Sequence, residues 1–112
     1  MGRRRRHVAL ALARESRASF AAVMAAEAHG LPPAEVERAR EHGQVAVRHR
    51  FTDAGVFLRA VARRSHRLRD VERIAREDGF TGAEVYGIAD HALGPMREEW
   101  TPGRPAWEVI PL

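Results

Sequence analysis

Arginine is the residue in this chain whose type and spacing can do chemistry. All 19 basic residues are arginine, with no lysine, and they cluster: residues 1–17 hold six against one glutamate, and residues 44–69 hold seven against one aspartate. A guanidinium stays charged at any physiological pH and presents a planar fork of N–H donors that matches phosphate oxygens, so dense arginine points to a polyanion. Arg59, Arg63 and Arg67 recur at four-residue steps, the spacing of one helix face. Residues 70–112 reverse the balance, with four arginines against nine carboxylates, so the positive field lies ahead of this segment and not on it.

The remaining reactive side chains suggest no catalysis. The six histidines, at positions 7, 29, 42, 49, 66 and 91, include no pair four residues apart and no metalloprotease spacing, so no metal site is expected. Asp90 and His91 are adjacent, which on a helix turns them about 100° apart, a poor dyad. Ser16, Ser19 and Ser65 lie in helical stretches without a nucleophile elbow, no glycine-rich phosphate loop is present, and there is no cysteine. The expectation is a protein that is not an enzyme and carries no cofactor. The VALALA run after Arg6 is too short and too polar for a signal core, and no span is long enough to cross a bilayer, so a cytoplasmic location is expected.

These residues need elements to position them. From about Arg5 to Ala28, Val8, Leu12, Phe20, Val23 and Met24 recur near helical spacing, and His29-Gly30-Leu31 reads as a left-handed cap with an apolar fold-back. Its Ala-rich surface suggests a homodimer contact. Pro33 opens a second helix, with Glu35 and Glu37 near its start, ending at about His42 before Gly43, and the two form an antiparallel pair. Residues 44–51, QVAVRHRF, alternate as a half-buried strand would, although continued helix also fits.

Thr52 or Asp53 caps the next helix, 53–67, whose apolar face is Val56, Phe57, Ala60 and Val61. A break at 68–70 precedes helix 71–78, in which Ile74 and Ala75 face the core. Gly79 supplies a left-handed turn. Phe80, Thr81, Glu84 and Val85 then combine a capping box with a hydrophobic staple. That helix, 82–93, is expected to stop at Gly94-Pro95. The segments beginning at Val45 and Ile74 echo each other 29 residues apart, two uses of one helix-entry device.

The spacing of Ile74-Ala75, Gly79, Val85 and Ile88, followed by a tail containing GRP, resembles the winged helix-turn-helix DNA-binding domain of bacterial regulators over about residues 51–112. The resemblance implies a mainly α fold with a small β-hairpin, preceded by an N-terminal basic arm and helical pair at 1–43, together one domain with 44–112. Met96–Trp100 and Ala106–Ile110 would form the wing, with Trp100 and Trp107 paired across it. It further implies duplex DNA as partner and a role as transcriptional regulator or accessory factor, with Thr81, Gly82, Glu84, Tyr86 and Gly87 near base edges and Arg104 near the backbone. Because helix 82–93 contains no arginine, phosphate contacts fall to Arg3, Arg4, Arg5, Arg6, Arg48, Arg50, Arg59, Arg63, Arg64, Arg67, Arg69 and Arg104. Two alternatives stand beside it. One is a protein-interaction module whose acidic C-terminal half docks a basic partner; the other is an α+β domain with a three-stranded sheet from 44–51, 83–88 and 106–110.

Overall fold

From Arg3 to His29 the chain has neither glycine nor proline, and in the computed structural model, which describes residues 2–43 and 53–99, it is one helix, α1 (Gly2–Ala28). Its end matches the sequence expectation. Gly30 has φ 77°, its N–H reaches the Glu27 carbonyl at 2.9 Å, and the Leu31 N–H reaches that of Ala26 at 3.2 Å, the paired bonds of a Schellman cap. α2 (Pro33–His42) opens on a proline, carries Glu35 in its first turn and closes on Gly43 at φ 62°. α3 is Asp53–Glu77 and α4 is Gly82–Glu99.

α1 is the central element, and its buried stripe is made of small residues. Ala22 and Ala26 pack with Val36 and Ala39 of α2 and Leu58, Val61 and Ala62 of α3. Toward the other end, Val8 and Leu12 pack with Ala75 of α3, Phe80 of the turn and Val85 of α4. The end of α1 therefore lies beside the start of α3, and its start beside the end of α3, so the two run antiparallel. His29 and Phe57 stack their rings at that junction, 4.3 Å between centroids. Buried Ser16 and Ser65 have hydroxyls without a hydrogen-bond partner among the described residues and serve as spacers little larger than alanine. The buried stripe of α1 is thus covered by the other three helices.

The expected winged fold is corrected by these elements. Among the described residues there is no strand: 83–88 lie within α4, which removes the three-stranded sheet, and Met96–Glu99 continue α4 where a wing strand was expected. The helix runs through Gly94-Pro95 because Met96 is buried against Ala21 beside Phe20 and Leu93. That burial outweighs the hydrogen bond the proline ring removes. The break expected at 68–70 is absent as well, so the first two helices of the expected three are one. Neither glycine nor proline interrupts the segment, and Val71 packs against the Val8 cluster. Ile74 is 38% exposed while Ala75 is fully buried, and Val56 is 56% exposed because Leu58, Val61 and Ala62 supply the apolar face. The strand 44–51, Thr52, Trp100, Trp107 and the 106–110 wing strand lie outside the described residues.

The turn itself matches expectation. Gly79 has φ 94°, its N–H bonds the Arg76 carbonyl at 3.0 Å and that of Phe80 bonds Ala75 at 2.9 Å. Thr81 Oγ1 accepts from the Glu84 N–H, and Glu84 Oε1 accepts from the Thr81 N–H, both at 3.1 Å, a complete capping box with Phe80 and Val85 buried beside it.

Candidate nucleic-acid interface

The N-terminal arginines are helical from the first turn, and four consecutive helical residues point to different sides. Arg4 and Arg5 turn toward the α3–α4 turn. Arg4 donates twice to Asp78, Nε to Oδ2 at 2.7 Å and Nη2 to Oδ1 at 3.2 Å, and that hydrogen bonding, then the carboxylate's charge, raises its pKa further. Arg5 pairs with Glu84 and lies 4.1 Å from the centroid of the Phe80 ring. The Glu84 carboxyl is held below its usual range, first by the Thr81 backbone N–H; burial opposes this next, and Arg5 adds to the lowering. These two guanidiniums are spent on holding the fold.

Arg3 and Arg6 face solvent. With His7, Leu10 and Arg14 they occupy positions 3, 6, 7, 10 and 14 of α1, one helix face, and all five are exposed. None of the three arginines has a partner among the described residues. On α3, Arg63, Arg67 and Ile74 likewise share a face, at spacings of four and seven. A groove of about 550 Å³ lined by Arg3, Arg4, His7, Val8, Ala11, Val71 and Ile74 runs between the helices. It brings Arg3 and His7 of the α1 face beside Ile74 of the α3 face.

A second groove, about 460 Å³, lies where α2 ends against α3, lined by His42, Gly43, Arg59, Ala62, Arg63, His66 and Arg69. Among the described residues no carboxylate lines it, although Asp70 lies 3.5 Å from His66 and Glu41 3.7 Å from His42. Arg69 donates through Nη1 to the carbonyls of Arg40 at 2.9 Å and Glu41 at 2.7 Å, satisfying the end of α2 and fixing its own guanidinium at the groove.

The expected site residues therefore divide. Arg3, Arg6, Arg63 and Arg67 are exposed; Arg59 and Arg69 line the α2–α3 groove with Arg63; Arg64 is half-buried; Arg4 and Arg5 are exposed but ion-paired to Asp78 and Glu84. Thr81 is occupied as the α4 cap, and Tyr86 is 73% exposed on α4, away from that helix's buried face. Arg48, Arg50 and Arg104 lie outside the described residues. Sequence reasoning missed Arg14, whose signal was its place in the 3, 7, 10, 14 spacing. No protein family, curated protein or solved structure matches this chain.

Proposed function

We propose that this protein binds duplex DNA along its phosphate backbone, without reading base sequence, through the exposed faces of α1 and α3. The observation that carries this reading is that Arg3 and Arg14 share one exposed face of α1, and Arg63 and Arg67 one exposed face of its antiparallel neighbour α3, with no ion-pair partner among the described residues. Guanidiniums held on rigid helices neutralise successive phosphates and release condensed counterions, the main source of sequence-independent affinity. The rival reading, an acidic segment that docks a basic partner, is weakened by its own ion pairs. Asp78 is held by Arg4, Glu84 by Arg5, Asp90 by Arg97 at 2.9 Å and Glu77 by Arg73 at 3.1 Å.

Fluorescence anisotropy on a labelled random-sequence duplex tests the proposal. Binding at low salt, abolished in the Arg14→Glu, Arg63→Glu, Arg67→Glu variant at unchanged helix content, is the expected result. Because Leu10 and Ile74 are exposed on the same faces, phosphatidylglycerol vesicles are the control. Vesicle binding with no duplex binding, or a variant that binds duplex like the parent, overturns the reading.

A further inference from the structure

Resting on that reading, we propose that the α2–α3 groove, which shares Arg63 with that surface, is a site for the terminal phosphate monoester of a nucleic-acid strand, so that the protein prefers phosphorylated ends. The exposed faces of α1 and α3 suit diesters along a backbone, each carrying one charge. The groove differs in its lining: Arg63, Arg69, His42 and His66 reach it from two elements. A monoester carries more charge than a diester and three oxygens able to accept. That chemistry calls for donors converging from several directions.

Arg69 supplies the strongest argument. Its Nη1 is committed to two carbonyls of α2, so the guanidinium is held in place, while its Nη2 and Nε have no partner among the described residues. A cation anchored by one nitrogen and open along its other edge is pre-organised for a bidentate phosphate contact. Gly43 ends α2 at φ 62°, a left-handed backbone that suits glycine, and lines the groove beside Arg69. Arg63 lines the same groove, without an ion-pair partner among the described residues. A groove of about 460 Å³ takes the phosphate and the sugar that bears it.

The test uses the full chain and three DNA hairpins of one sequence: one with a 5′-phosphate, one with a 5′-hydroxyl, and a closed dumbbell without ends. The phosphorylated hairpin is expected to bind about tenfold more tightly than the other two, the effect of one well-made charge-assisted contact. Arg63→Gln should reduce that ratio toward one, and His66→Ala should reduce it in part, whereas a merely diffuse electrostatic role would weaken all three hairpins equally. Inorganic phosphate should erase the preference at concentrations that leave the hydroxyl-ended hairpin bound. Equal affinity for all three overturns the end site and leaves backbone binding standing. If inorganic phosphate binds while the ends are not distinguished, the groove holds a free anion and the end site is overturned. Failure of all three to bind removes both proposals.

Discussion

Arg4 and Arg63 carry the same charge and both are solvent-exposed, yet replacing each by alanine is expected to move a different observable. Arg4 makes a two-point ion pair with Asp78 across the turn between α3 and α4. Its positive charge is already balanced, so Arg4→Ala should lower the melting temperature and leave the salt dependence of DNA binding unchanged. Arg63 has no partner among the described residues. Arg63→Ala should leave the melting temperature alone, as surface substitutions usually do, and remove one phosphate contact. If Arg3, Arg14, Arg63 and Arg67 each neutralise a phosphate, the logarithmic salt slope is about −3.6, and affinity falls about 150-fold between about 50 and 200 mM salt. With one contact gone the slope becomes about −2.7 and the fall about 40-fold. Anisotropy titrations at four salt concentrations, with thermal unfolding followed by circular dichroism, measure both quantities. Equal changes of slope in the two variants, or an Arg63→Ala slope like the parent's, would refute the division of arginines argued above.

The α3–α4 turn and the α1 core give further expectations. Thr81→Ala removes the acceptor for the Glu84 N–H and should cost about 1 kcal/mol, read as a lower denaturation midpoint with unchanged slope. Gly79→Ala meets no atom within 4 Å of the new Cβ, so its cost should be that of the left-handed backbone alone, about 1–2 kcal/mol; Gly79→Asn should recover part of it. Ser16→Ala removes a buried hydroxyl that has no partner among the described residues and should hold or raise the melting temperature. Because the Glu84 carboxyl is held below its usual range, its contribution is complete above that range and is lost as pH falls through the lowered pKa. Glu84→Gln should therefore flatten the loss of stability between about pH 5 and pH 3.

What was legible in the sequence was local. Gly30, Gly43 and Gly79 mark helix ends, and Thr81 with Glu84 marks a helix start, because each signal acts within a few residues and needs no knowledge of neighbours. What was not legible was which helix packs on which. The helix-turn-helix spacing is present at Gly79, but α4 is held mainly by α1: Val85 packs with Val8 and Leu12, and Glu84 pairs with Arg5. The stop at Gly94-Pro95 failed for the same reason, since burial of Met96 against Ala21 is a contact between residues 75 apart. The site was half visible. The 59, 63, 67 stripe could be read from spacing, whereas the ion pairing of Arg4 and Arg5 depends on Asp78 and Glu84 arriving beside them.

The four arginines that open α1 could not act together as an arm once the segment became a helix, because each residue turns about 100° from the last. Two of them meet Asp78 and Glu84 at the α3–α4 turn, and the other two, Arg3 and Arg6, are exposed without an ion-pair partner among the described residues. The acidic half of the chain thereby has a physical role in the basic half. Asp78 and Glu84 fasten the first turn of α1, which otherwise would fray with a run of like charges at the positive end of its dipole. Held in this way, Arg3 and Arg6 are displayed on a rigid surface, and the carboxylates nearest to them are already neutralised and oppose an approaching polyanion less. Part of the charge asymmetry of the sequence is thus internal ion pairing in the folded chain, Arg4 with Asp78 and Arg5 with Glu84, and the exposed arginines left over on α1 and α3 are those available to a partner.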